Sequence, residues 1–184
     1  MRLFTALDPS PEVHDQLTRL LERLRPSAGV RWAKPENLHL TVKFIGEWPE
    51  ERLPALRQAL GGVALPPPFE VRIAKLGFFP NSRAPRVFWA GIHSSPALKE
   101  LAAGIDNAVT PLGIALETRP YSPHLTLARV PERTPLEALH RAIESLPSAE
   151  FGTFTADRFF LYQSRPAAGG SIYTQIGEFP CGAY

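Results

Sequence analysis

The chain carries the same unit twice. His39-Leu40-Thr41 recurs as His124-Leu125-Thr126, an offset of 85 residues in a chain of 184. At that offset Pro35 falls on Pro120, Ser10-Pro11 on Ser95-Pro96, and Leu3 and Leu7 on Phe88 and Ile92. Val13, Leu17, Leu20 and Leu24 fall on Leu98, Ala102, Ile105 and Val109, so one apolar helical stripe repeats in register. Downstream the offset slips by two, with Leu53, Leu56 and Leu60 answered by Leu136, Leu139 and Ile143. Two long copies predict a pseudo-twofold fold; a solenoid would use shorter and more numerous repeats. The expected organisation is one domain over 1–184 made of two related halves, about 1–85 and 86–184.

Each half reads strand, helix, strand, strand, helix, strand. In the first, Arg2–Asp8 is an apolar strand, and Ser10 caps a helix that has Pro11 at its first position. Val13, Leu17, Leu20, Leu21 and Leu24 form the buried face of that helix. Strands are expected at 30–33 and 38–45, a helix at about 50–60 with Pro54 in its first turn, and a strand at 69–79. In the second half, strands are expected at 86–92, 114–117 and 124–130. Ser95 is expected to cap a helix to about Leu112, and Thr134 one to about Leu146. The tail reads as two strands, 151–163 and 171–179, joined by Ala167-Ala168-Gly169-Gly170, and Pro80–Pro85 reads as a hairpin loop. Strands alternating with helices predict a mixed α/β or α+β domain whose helices cover sheet faces.

Composition removes several classes. With 44% hydrophobic and 21% charged residues the chain is globular. Its apolar runs are all far shorter than the roughly 20 residues of a membrane span. The opening Met1-Arg2-Leu3-Phe4-Thr5-Ala6-Leu7-Asp8 is too short and too soon acidic to read as a secretory leader. Cys181 is the only cysteine, which excludes an intrachain disulfide and a cysteine-based metal site and fits the reducing cytoplasm. A net charge of +2 permits a phosphate-bearing partner without demanding one. Low Asn and Met with 20 Pro is shared by thermostable proteins and by GC-rich genomes, and it carries no chemistry.

The chemistry lies in the repeated motif. Side chains alternate on a strand, so His39 and Thr41 share one face while Leu40, Val42 and Phe44 share the other. His124 and Thr126 do the same against Leu125 and Leu127. A pseudo-twofold axis brings both polar pairs to one cleft, with two imidazoles facing each other. In-line displacement at phosphorus needs a base on one side and an acid on the other. Histidine titrates near neutral pH and can supply either. The threonine hydroxyls are short, stiff donors for the non-bridging oxygens. Metal binding is the competing use of two histidines. Neither motif has Cys, Asp or Glu beside it at ligand spacing, so no metal and no cofactor is expected. His14, His93 and His140 read as ordinary helix and strand residues.

Arg31-Trp32, the block Pro35–Glu47 and Pro123-His124-Leu125-Thr126-Leu127-Ala128-Arg129 resemble the two-histidine (2H) phosphoesterases. Arg2–Leu7, Leu76–Pro80, Arg86–Gly91, Leu161–Ser164 and Tyr173 extend the resemblance over nearly the whole chain. They are most similar to the RNA 2′,3′-cyclic phosphodiesterases, also called the 2′-5′ RNA ligase family. The resemblance implies a bilobal α+β fold of mixed or antiparallel sheets around a central cleft. It further implies hydrolysis of RNA 2′,3′-cyclic phosphate ends to 2′-phosphomonoesters, with reverse 2′-5′ ligation as the same chemistry run backwards. It makes His39 the proton donor and His124 the proton acceptor, with Thr41 and Thr126 on the phosphate. The motifs themselves are nearly symmetric and allow the two histidines to be exchanged.

Around the motifs, Arg129 matches a substrate-binding position, although regular alternation puts it opposite His124 unless a bulge intervenes. Lys43 has the parity of His39 and is expected as a second cation, while Phe44 and Tyr121 are expected to stack a base. Arg83 and Arg86 flank the proline-rich loop, where solvation is the simpler reading. The expected partner is RNA with a 2′,3′-cyclic phosphate or a 2′-5′ linked end, with no membrane and a monomeric enzyme. Two alternatives stand: a relative that opens another small cyclic nucleotide phosphate, or an RNA-end-binding module that does not turn its ligand over.

Overall fold

The computed structural model describes residues 1–181. Two antiparallel sheets form its frame. Strands β1 (Arg2–Leu7), β3 (Leu40–Glu47), β8 (Arg158–Ala167) and β9 (Gly170–Pro180) make one sheet in the order β3-β1-β8-β9. The other holds β2 (Arg31–Trp32), β4 (Phe69–Phe79), β5 (Val87–Ser94), β6 (His124–Arg129) and β7 (Glu150–Ala156), ordered β2-β6-β5-β4-β7. Four helices complete the α+β fold: α1 (Pro11–Leu24), α2 (Leu53–Gly61), α3 (Ala97–Val109) and α4 (Glu137–Glu144). None is long and apolar enough to cross a membrane.

Each sheet takes strands from both sequence halves: β3 and β1 lie beside β8 and β9 in one, and β2 and β4 among β5, β6 and β7 in the other. The helices cross over as well: α1 packs on β7 of the second sheet and α3 on β3 of the first. Helix α1 follows its sequence closely, with the Ser10 hydroxyl accepting from the Val13 N–H and the five-residue apolar face buried. Its close approach to β7 depends on Gly152 (φ +109°), where a Cβ would stand 2.9 Å from Val13.

Several details depart from the sequence expectation. Residues 114–117 form no strand; their backbone is engaged by side chains of β3 and α3. The segment 151–163 is two strands in different sheets, broken at Asp157, so the tail contributes three strands. Thr134 does not cap α4; its hydroxyl donates to the Pro131 carbonyl and the helix begins at Glu137. The Ser95 hydroxyl accepts from Ala97 N–H, and α3 ends at Val109 before a short 3-10 turn to Leu112.

One further departure carries function. Between Thr5 and Ala6 the partners on β3 jump from Lys43 to Thr41, leaving Val42 as an extra residue. Between Phe88 and Trp89 the partners on β6 jump from Ala128 to Thr126, leaving Leu127 extra. Both strands thus carry a bulge at positions 85 apart, and alternation reverses beyond each. Phe44, read as sharing the Leu40 face, is 64% exposed, and Arg129 is exposed too, while Lys43 and Ala128 turn inward and are buried.

Candidate active site

The two motifs lie on β3 and β6, which pack against each other at the junction of the sheets. His39 sits just before β3 and His124 is the first residue of β6. Each imidazole is oriented by the carbonyl two residues upstream. His39 Nδ1 lies 2.6 Å from the Asn37 oxygen and His124 Nδ1 lies 2.9 Å from the Ser122 oxygen. A carbonyl only accepts, so both Nδ1 atoms carry protons and both Nε2 atoms are left for chemistry. Asn37 and Ser122 are again 85 residues apart.

The surroundings of the two rings differ. His39 is enclosed by Phe4 (4.8 Å between centroids), Tyr173 (5.1 Å, edge-on) and Tyr162 (6.5 Å). Burial among these rings pushes its pKa down to about 4, against the Asn37 carbonyl, which favours the imidazolium. Its Nε2 lies 3.0 Å from the Thr41 hydroxyl, which donates to the neutral ring. The His124 bond to Ser122 is exposed, and its ring meets Phe79 edge-on at 4.9 Å. Phe79 in turn packs on Trp89 at 5.1 Å, and Trp89 lies over Gly77, where a Cβ would fall 2.2 Å from the indole.

A cavity of about 190 Å³ opens beside His39, walled by Asp8, His14, Asn37, Tyr162 and Tyr173 among others. The Tyr162 hydroxyl donates to Asp8, and burial raises the pKa of both groups. Among the described residues no three His, Cys, Asp or Glu side chains are gathered to hold a metal ion.

The expected substrate residues divide into two groups. Phe44 stands on the Phe4 side of β3, with their ring centroids 6.3 Å apart, and so shares the His39 and Thr41 face. Arg129 lies beyond the second bulge and directly opposite Arg31 of β2, so two exposed guanidinium groups are cross-strand neighbours. Lys43 is not a cleft cation: its ammonium is 2.5 Å from Asp106, with the two side chains only 9% and 12% exposed. Tyr121 is not a free platform either, because its hydroxyl donates to the Thr41 carbonyl at 2.9 Å and its ring packs against the core. Lys43 misses its expected place because the bulge at Val42 turns it inward, and Tyr121 because its hydroxyl satisfies a free carbonyl of the edge strand β3. Phe4, Tyr162 and Tyr173 around His39, Phe79 beside His124 and Arg31 beside Arg129 lie in the blocks that carry the resemblance, but the sequence assigns none of them a site role. These neighbours come from strand pairing and leave no spacing signal.

The model of the LigT-like phosphoesterase family matches the chain twice, over residues 7–89 and 92–173. A relative from Methanocaldococcus jannaschii, an RNA 2′,3′-cyclic phosphodiesterase, is 35% identical over 97% of this chain and 100% of its own length. The enzyme of the same name from Archaeoglobus fulgidus is 32% identical over 97% and 99%. Among solved structures, TT0787 of Thermus thermophilus superposes with a TM-score of 0.81 at 33% identity, covering 98% of this chain and 97% of its own. Escherichia coli LigT complexed with 3′-AMP gives a TM-score of 0.79 at 28% identity over 98% and 97%.

Proposed function

Because the chain belongs to the LigT-like phosphoesterase family, we propose that it is an RNA 2′,3′-cyclic phosphodiesterase working by paired histidine acid–base catalysis. The observation that carries the mechanism is the matched pair of imidazoles, each fixed through Nδ1 by a backbone carbonyl at equivalent positions. Two rings held this way on strands that pack against each other serve the two ends of an in-line displacement.

Water attacks phosphorus as His124 Nε2 removes its proton. The bond from phosphorus to O3′ breaks, and His39 Nε2–H delivers a proton to that oxygen. The products are a 2′-phosphomonoester and a free 3′-hydroxyl. A 5′-hydroxyl in place of water gives a 2′-5′ phosphodiester, so ligation uses the same groups without a nucleotide energy source.

Burial keeps His39 neutral in the free protein, so its acid role depends on the substrate. A phosphodiester anion against Nε2 supplies the negative charge that the aromatic enclosure lacks and favours the imidazolium. Protonation turns Nε2 from acceptor to donor and frees the Thr41 hydroxyl to donate to a non-bridging oxygen. Thr126 serves the other half-site. Arg129 holds phosphate, joined by Arg31, and Phe44 stacks a base. The reading takes residues 1–184 as one domain of two related halves, about 1–85 and 86–184. With both half-sites on one chain it acts as a monomer, and an RNA substrate with a single free thiol suits a cytoplasmic enzyme.

The test is product analysis on an RNA ending in a 2′,3′-cyclic phosphate. A 2′-phosphate is expected from wild type, with none from His39→Ala or His124→Ala. A 3′-phosphate, or turnover near wild type in either folded variant, overturns the mechanism.

A further inference from the structure

The segments leading to the two histidines are held in different ways. Before His39, β2 is laddered onto β6, with Arg31 opposite Arg129, Trp32 opposite Ala128, and Ala33 N–H donating to the Leu127 carbonyl at 2.8 Å. At the 85-residue offset β2 corresponds to Leu116-Glu117, which belongs to no strand. That segment is caught by a buried pair of side chains. The Lys43 ammonium donates to the Ala115 carbonyl at 2.9 Å, and Asp106 accepts the Glu117 N–H at 3.0 Å. Lys43 and Asp106 meet each other at 2.5 Å. The Lys43 backbone is anchored in turn: its N–H donates to the Thr5 hydroxyl at 3.1 Å, and that hydroxyl donates to its carbonyl at 3.4 Å. The position equivalent to Lys43 is Ala128, where the ladder already fixes the chain.

We propose that Lys43 and Asp106 are a positioning pair that sets His124 against His39. The pair links the bulge beside Thr41 to the loop that carries Tyr121 and Ser122 and leads into His124. Because the Ser122 carbonyl fixes the His124 ring, displacement of that loop turns the imidazole. A buried ion pair is a poor stabiliser, and apolar residues of similar volume often replace one at little cost. What such a replacement lacks is the two directed bonds to the loop backbone. The inference rests on the two-histidine reading of the site.

The decisive variant is Lys43→Met with Asp106→Leu, examined by thermal unfolding, steady-state kinetics on a 2′,3′-cyclic nucleotide, and NMR of the imidazole nitrogens. The expected result is a melting temperature within a few degrees of wild type, kcat lower by about 10- to 100-fold, and KM within about threefold. The His124 ring signals should move while those of His39 stay. Lys43→Arg, which keeps both bonds within reach, should retain most of kcat. A folded double variant with wild-type kcat and unmoved His124 signals overturns the proposal. If the double variant does not fold, Asp106→Asn decides: a several-fold loss of kcat at unchanged KM supports the proposal, and wild-type kcat overturns it. Wild-type protein inactive on every cyclic phosphate would instead overturn the reading of the reaction, and the NMR comparison would still report on the pair.

Discussion

Phe44 and Arg129 occupy the same place in the two half-sites. Each stands three residues after its threonine, beyond a bulge that turns it away from the core. One half-site thus ends in an aromatic ring and the other in a guanidinium, so the repeated backbone presents unlike chemistry to an asymmetric ligand.

That division predicts separable losses. Phe44→Ala should weaken RNA by a few to a hundredfold in KM, the range of one base stacked on one ring (about 1–3 kcal/mol), while Phe44→Tyr stays near wild type. Arg129→Ala should lower kcat/KM by about 10- to 100-fold, and Arg31→Ala by less. Wild-type kcat/KM for Arg129→Ala, measured at low and moderate salt, would remove it from the phosphate site.

His39 makes the fold itself sensitive to pH. Its pKa is about 4 when folded, against 6.5 for a free imidazole. Between those values the unfolded chain binds more protons, so stability rises with pH across that window. The loss on going from above pH 6.5 to below pH 4 is roughly 3 kcal/mol from this group. Denaturant unfolding of His39→Gln should fall less steeply over that window. Parallel curves for the two proteins would show that His39 is not the group responsible.

The acid role proposed for His39 has a calorimetric signature. Titrating a 2′,3′-cyclic nucleotide into inactive His124→Ala at pH 7 should draw up to one proton from the buffer, so the apparent heat depends on the buffer's ionisation enthalpy. Affinity should weaken as pH rises. A heat independent of buffer would place the imidazolium elsewhere.

Gly77 bears on His124 through two intervening rings. A methyl group there meets the Trp89 indole at 2.2 Å, and Trp89 packs on Phe79, which abuts His124. Gly77→Ala should cost about 1–3 kcal/mol of stability by overpacking and should lower kcat in the folded fraction. Unchanged kcat would mean that the ring stack transmits nothing.

The duplication, the motif residues and most elements were legible because they rest on local patterns: apolar spacing, caps and a repeated tripeptide. What was not legible depends on pairing. The bulges at Val42 and Leu127 are defined by the neighbouring strands, and they alone decide that Phe44 faces out and Lys43 in. Arg129 required such a bulge, and one is present. Residues 114–117 have strand composition, yet they sit where side chains from β3 and α3 meet the backbone. The enclosure of His39 draws on β1 and on the β8–β9 hairpin, which lie at opposite ends of the sequence.

The interleaving of strands also limits how the molecule can be taken apart. A cut in the loop at 80–86 falls between the sequence repeats, yet it strands β2 and β4 without β5, β6 and β7, and β8 and β9 without β1 and β3. Each fragment would carry one of the two motif histidines, His39 or His124, and parts of both sheets. Recovery of activity from a split protein therefore requires the two pieces to fold around each other, and the inherited unit of sequence is not a unit of assembly.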